Sequence, residues 1–335
     1  MNARRQAMAT LAFAALAAGS ALAAPLRAAH QSVLPARIGF LNFAPNNLHL
    51  TVEPFREGMR ELGHVEGKTF VLEIGNADGK VERFPDLAAG MVRQKVDVIV
   101  ASSTEGIFAA QRATTSIPVV FGGSGDPVGR RLVKSLARPG GNLTGTSIMY
   151  PELLAKQVEL LKNIAPTVAQ VTILFPSGLS IVPLYLEPID AAAKQLGIKS
   201  VRTRQLVVGT ADAIENAFAE MRRDGTEGVI IFAHPIFFTR AKLLADLGMK
   251  HRLPTISTYP ENVKAGGLMS YSASIRESFK RTAFYVDKIL KGSKPADLPV
   301  QQPTTFHLAV NANTAKALGL KLPLDLMLRA NEVIE

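Results

Sequence analysis

Six histidines (His30, His49, His64, His234, His251 and His307) and no cysteine set the first limits on the chemistry open to this chain. No two of the histidines stand at metal-ligand spacing, and no H-E-x-x-H occurs. Without cysteine there is no thiol nucleophile, no disulfide framework and no lipid-anchored cysteine. Gly122-Gly-Ser124-Gly-Asp126 comes close to a nucleophile elbow, G-x-S-x-G, but Asp126 stands where the last glycine belongs. The same stretch begins like a dinucleotide loop at Gly123-x-Gly125, yet the third glycine is missing and Pro127 follows. No P-loop lysine stands in context. The glycine-rich stretch therefore reads as a close-packed corner, and no catalytic residue, metal or cofactor is expected.

What remains is a set of polar and aromatic residues just after predicted strands. Asn42 and Phe43 follow the first strand, Ser102, Ser103 and Thr104 the third, and Ser124 and Asp126 the fourth. In the second half Ser177, His234, Ser257-Thr-Tyr259 and Tyr271 hold the same kind of position. Hydroxyls beside free helix N-terminal amides suit a carboxylate or another anion. Asp126 suits a ligand ammonium, and Phe43, Tyr259 and Tyr271 suit an apolar or aromatic body. Each residue also has a plainer reading. Ser102 and Glu105 form an S-x-x-E capping box, and Asp126 with Pro127 opens a helix expected to run to about Ala137. Phe43 can be core, His234 an ordinary loop residue, and Tyr271 part of a hinge. Both readings stand at this point.

The elements that must hold these residues alternate regularly. Strands are expected at 38–41, 69–74, 96–101 and 119–121, with helices at 52–62, 84–93 and 105–114 between them. After a strand at 143–147 the theme repeats. Helices are expected at 151–164, 184–196, 211–223 and 239–251, and strands at 170–175, 199–204, 228–232, 255–257 and 268–271. Ser274 and Glu277 cap a helix running to Leu290, followed by a strand at 304–310 and a helix at 313–318. Short apolar strands between helices indicate parallel sheets covered on both faces. The expected fold class is α/β, with two doubly wound, Rossmann-like lobes joined by a hinge. Lobe 1 is assigned residues 37–147 plus about 273–300, and lobe 2 residues 148–272 plus about 301–335. Ligands in such sheets sit beyond the carboxyl ends of the strands, so facing lobes make a cleft.

Length and composition agree with two domains: 335 residues, 47% of them apolar. Residues 1–24 have all three parts of a secretory signal peptide: Arg4-Arg5, an apolar run over 11–22, and Ala21-Leu-Ala23. The run is too short to span a bilayer comfortably. Export without a lipid-anchor cysteine predicts a soluble periplasmic protein, and the Sec and twin-arginine routes both stay open. The net charge is +10, and removing residues 1–24 takes away Arg4 and Arg5 and no acid, leaving +8. The basic residues are spread in pairs such as Arg130-Arg131 and Arg222-Arg223 over predicted helices, with no interleaved aromatics. Together with export, this argues against a nucleic-acid partner.

Several stretches resemble one family closely: Asp126-Pro-Val, Leu136-Ala-Arg-Pro-Gly-Gly-Asn-Leu-Thr-Gly145, Lys156-Gln-Val-Glu-Leu-Leu161 and Ala265-Gly-Gly-Leu-Met-Ser-Tyr271. Tyr285-Val-Asp-Lys-Ile-Leu-Lys-Gly292, Lys294-Pro-Ala-Asp-Leu-Pro-Val-Gln-Gln-Pro303 and Ala315-Lys-Ala-Leu-Gly-Leu320 extend the match over about residues 37–335. This resembles the ABC transporter substrate-binding proteins that include the tryptophan- and tyrosine-type binding proteins. The resemblance implies a type I periplasmic binding fold, with the chain crossing three times between lobes. It also implies delivery of a small solute to an inner-membrane ABC permease, with no catalysis. By position it places cleft residues at Asn42, Phe43, Ser102 to Thr104, Asp126, Ser177, His234 and Tyr271. The loop Phe232-Ala-His-Pro-Ile-Phe-Phe238 departs from the tryptophan-type pattern, so the expected solute is any small carboxylate-bearing molecule, an amino acid or an aromatic or organic acid. A monomer is expected. The alternatives are a ligand-sensing module of the same fold and an exported hydrolase acting through Ser124.

Overall fold

The computed structural model describes residues 34–176, 182–206 and 210–335. The expected signal peptide and Ser177 lie outside the described residues. Strands form where the apolar runs are. Five of them, β1 (Ala36–Asn42), β2 (Phe70–Asn76), β3 (Val98–Ala101), β4 (Val119–Ser124) and β5 (Leu143–Ser147), make one parallel sheet in the order β2-β1-β3-β4-β5. Helices α1 (Val52–Glu61), α2 (Phe84–Arg93) and α3 (Thr104–Ala113) connect the first four.

Alternation along these strands divides the core of lobe 1 into two layers. Val98 and Val100 pack with Phe55 and Met59 of α1, whereas Ile99 and Ala101 pack with Phe84, Met91 and Ile107 of α2 and α3. Both faces are buried, as a parallel sheet requires.

The second lobe is built by α4 (Tyr150–Ile164), β6 (Gln170–Pro176), α5 (Val182–Gln195), β7 (Ser200–Leu206), α6 (Ala211–Arg223) and β8 (Gly228–Ile231). It continues through α7 (Pro235–Phe238), α8 (Ala241–Lys250), β9 (Thr255–Ser257), α9 (Pro260–Lys264) and β10 (Met269–Ala273). The chain then leaves for α10 (Ile275–Leu290), which packs on α1 and β4 of lobe 1. It returns as β11 (Phe306–Asn311), α11 (Ala312–Ala317), α12 (Leu324–Arg329) and β12 (Glu332–Ile334). The sheet order is β12-β11-β10-β9-β8-β6-β7. Every pair in it is parallel except β10 with β11, where Ala273 faces Phe306. The chain leaves the sheet at Ala273 and re-enters beside it at Phe306, so β11 has to run backwards.

Three segments therefore join the lobes: Ser147 to Tyr150, Ala273 to Ile275, and Gln301 to Phe306. The first and third are tied together, since Ser147 N donates to Gln301 O (2.8 Å) and Gln301 N donates to Gly145 O (3.1 Å). No helix among the described residues is long and apolar enough to cross a membrane.

One expected element is absent. Residues 126–137 form turns rather than a helix. Asp126 does begin a helical turn, with Arg130 N donating to Asp126 O (3.1 Å). Arg131 then adopts a left-handed φ of 56°, and the amides of Leu132 and Val133 both fold back on Pro127 O. A left-handed residue after one turn ends a helix. The pattern also gave no hint of the short helices α7, α9 and α12.

Candidate functional site

The carboxyl ends of β1 and β3 are knitted together by one side chain. Asn42 is fully buried. Its Oδ1 accepts from Thr51 Oγ1 (3.1 Å) and Ser102 Oγ (3.2 Å), and its Nδ2 donates to Ala44 O (2.7 Å) and Asn76 Oδ1 (2.9 Å). That exhausts the capacity of an amide side chain. Asn42 and Ser102 thus hold strand ends together. Ser103, not Ser102, caps α3, accepting from Gly106 N (3.2 Å), so the expected capping box is displaced by one residue. Glu105 lies in the first turn of α3.

The glycine-rich corner after β4 is indeed a packing device. A Cβ on Gly125 would lie 1.9 Å from the Tyr150 ring, and one on Gly122 2.3 Å from the Phe279 ring. With no side chains there, Tyr150 of the second lobe seats on the corner, its amide donating to Gly125 O (2.9 Å).

Side chains from the two lobes meet across this rim. His234 Nε2 lies 3.3 Å from Glu105 Oε1, and the Phe43 ring meets the His234 ring edge-on at 5.7 Å. Ile236 N donates to His234 Nδ1 (3.2 Å), so Nε2 carries the proton that faces Glu105. Tyr185 of α5 donates its hydroxyl to Asp126 Oδ2 (3.0 Å), while Asp126 Oδ1 accepts from Gly129 N (2.8 Å). Tyr150 donates to Ala233 O (2.6 Å). Phe238 lies between His49 of lobe 1 (5.9 Å) and Tyr259 (5.4 Å).

Beside these contacts lies a cavity of about 50 Å³ whose lining includes Asn47, Ser103, Thr104, Tyr150, His234 and Tyr259; Glu105, Asp126, Arg130 and Tyr185 stand outside that lining. Small-molecule sites run to roughly 300–1,000 Å³. A solute therefore enters only if the lobes part.

Charge and burial coincide here. Burial pushes the Glu105 carboxyl up, but the His234 hydrogen bond, its own backbone amide and Arg130 together leave it below the ordinary carboxylate value. Burial, then the Asp126 charge, raises the Tyr185 phenol far above its usual range. Tyr150 and Tyr259 are raised chiefly by burial as well, so all three stay neutral hydrogen-bond donors. Several buried polar atoms have no partner among the described residues: Asn47 Oδ1, Glu105 Oε2, and Arg130 Nε and Nη2.

Of the expected site residues, the structure gathers Phe43, Ser102, Ser103, Thr104, Asp126 and His234 at the rim between the lobes. Asn42 sits behind them. Tyr271 does not join them; it stacks on Phe306 (5.5 Å, 10° between planes), and its carbonyl accepts from Gln157 Nε2 (2.9 Å). The sequence pattern missed Glu105, Arg130, Tyr150 and Tyr185. Glu105 is hidden by its apparent capping role and Arg130 by its apparent place on a helix. The one available signal for Arg130 was its position four residues after Asp126, beside a glycine.

A family model described as "ABC transporter substrate binding protein" matches residues 44–334. A "Tyrosine-binding protein" of Clostridioides difficile is 23% identical over 273 residues, 80% of this chain and 76% of that protein. Among solved structures, an ABC domain from Streptococcus pneumoniae in complex with L-Trp is similar at a TM-score of 0.82 and 26% identity, covering 90% of this chain and 100% of that one. A conserved domain protein from Vibrio cholerae has a TM-score of 0.81 at 24% identity, with the same coverage.

Proposed function

The chain belongs to the family of ABC transporter substrate-binding proteins, and from that premise we propose that it is the periplasmic binding component of an importer for a small amino acid, aromatic ones foremost. The reading rests above all on one observation: a buried Arg130 and a half-buried Glu105, opposite in charge, each keep shielded polar atoms without a partner near the meeting of the two lobes. Aromatic side chains Phe43, Phe238 and Tyr259 at the same seam suit an apolar or aromatic body. The L-Trp complex and the tyrosine-binding relative point the same way.

The mechanism is closure. An amino acid entering the parted lobes contacts Thr104 and Glu105 on one side and His234 on the other. Contacts made to both lobes at once exist only in the closed form, so binding shifts the equilibrium towards it. A permease partner in the inner membrane then distinguishes loaded from empty protein by shape. Residues 1–24 act as the export signal in this reading.

A thermal-shift screen of the mature chain against the L-amino acids, benzoate and myo-inositol tests it. An aromatic amino acid at a hundredfold excess over its Kd stabilises by about 2.7 kcal/mol, a clear rise in Tm. Stabilisation by myo-inositol but by no amino acid would overturn the proposal.

A further inference from the structure

Arg130 sits in the turn after β4 and is 8% exposed. Its amide is held by Asp126 O (3.1 Å), yet neither Nε nor Nη2 of its guanidinium has a partner among the described residues. Those two N–H groups lie along one edge of the guanidinium. Together they form the fork that matches the two oxygens of a carboxylate. The nearby acid points its bonds elsewhere: Asp126 Oδ1 accepts from Gly129 N and Oδ2 from Tyr185 Oη, and neither oxygen pairs with Arg130 Nε or Nη2. Glu105, the other acid at the rim, uses Oε1 for His234 and leaves Oε2 buried and unpaired. A buried guanidinium edge without an acceptor is costly, as is a buried carboxylate oxygen without a donor.

From this geometry we propose that Arg130 is the anion-recognising residue of the cleft, its Nε/Nη2 fork taking the solute's carboxylate while Glu105 Oε2 receives the ammonium. Closure of the lobes then depends on a solute that supplies both. The solute's identity as an amino acid rests on the reading above; the role of Arg130 in closure does not. Arg130 and Glu105 carry opposite charges on the same lobe, so a zwitterion satisfies both, whereas an amine or an acid alone satisfies one. The Asp126–Tyr185 bond serves a different purpose. It ties the loop that carries Arg130 to α5 of the opposite lobe, so the fork is carried into place as the lobes meet.

Two measurements decide the matter. Calorimetry compares L-tryptophan, L-tryptophanamide and tryptamine on the wild type and on Arg130→Met, which keeps an apolar stem and loses the fork. We expect Arg130→Met to bind L-tryptophan about 30-fold more weakly, the loss of charge-assisted hydrogen bonds, and the wild type to discriminate to a similar degree against the amide and the amine. Binding to Arg130→Met within about threefold of wild type, or equal binding of acid and amide by the wild type, overturns the assignment. Small-angle scattering of the proteins without added solute gives the second arm. Arg130→Met should be more compact than wild type, because closure no longer strands a guanidinium; an unchanged radius of gyration overturns the link to closure. If wild type binds neither L-tryptophan nor L-tyrosine, the aromatic amino acid reading fails while the scattering still judges Arg130. Should Arg130→Met not fold, Arg130→Lys keeps the charge without the fork, and a loss of about tenfold in L-tryptophan affinity is expected; unchanged affinity overturns the proposal.

Discussion

Asn42 ends β1 and Arg130 sits in the turn beyond β4 of the same sheet, and both are buried. Asn42 makes all four hydrogen bonds that its amide allows, each to a group of its own lobe. Arg130 leaves two donors of its guanidinium unpaired at the seam between lobes. The two residues look alike in burial and differ in satisfaction. A saturated polar group has nothing left to offer a solute and belongs to the scaffold. An unsatisfied one costs free energy until something pairs with it. Near a cleft, the count of unmade hydrogen bonds says more about recognition than polarity or burial alone.

The contrast can be broken at either end. Asn42→Leu should have the largest effect on stability, about 3 kcal/mol, because it removes the partner of both Ser102 Oγ and Asn76 Oδ1 from a buried site at once. Denaturant unfolding measures this, and the Kd of the folded fraction should barely change. A change in Kd with intact stability would place Asn42 in the binding site after all.

Glu105→Gln should cost about 1.5 kcal/mol, the typical worth of a hydrogen bond to a charged group. It should also alter the acid limb of the stability profile. In the folded protein the Glu105 carboxyl titrates below its ordinary value of 4.5. Its contribution is therefore complete above that value and is lost as pH falls through the lowered one. Unfolding curves between pH 3 and 7 should show a shallower acid loss in Glu105→Gln than in wild type.

Ser103→Ala removes the cap on α3 and should cost about 1 kcal/mol, with little effect on binding if capping is its main work. A larger loss in affinity than in stability would add Ser103 to the solute contacts. The smallest effect sharpens the contrast from beside Arg130. Arg131 holds a φ of 56°, so Arg131→Gly should raise stability by about 0.5 kcal/mol and leave affinity untouched.

Much of the scaffold was legible in the sequence. The apolar runs at 96–101 and 119–121 became the neighbouring parallel strands β3 and β4, and the Ser274 cap opened α10 as its spacing indicated. Six of the expected site residues reached the rim between lobes because residues after a parallel strand share one edge of the sheet. The errors have a common cause. Asp126-Pro127 carries a strong helix-start signal, but a start signal does not say how far the helix runs, and the left-handed Arg131 ends it after a turn. Tyr271 follows the alternation of its strand, but Phe306 on the neighbouring antiparallel strand gives its ring a partner away from the cleft.

By itself the sequence determined the α/β alternation, the two series of strands, the glycine corner and the strand ends where polar residues collect. Those depend on periodicity and on turn and cap chemistry that act within a few residues. Only the tertiary structure decided which polar groups are spent and which remain. Glu105 meets His234 across 129 residues of chain, and Asp126 meets Tyr185 across 59. Whether a hydrogen bond is made depends on where two lobes set their side chains to within a fraction of an ångström, and no local pattern carries that information.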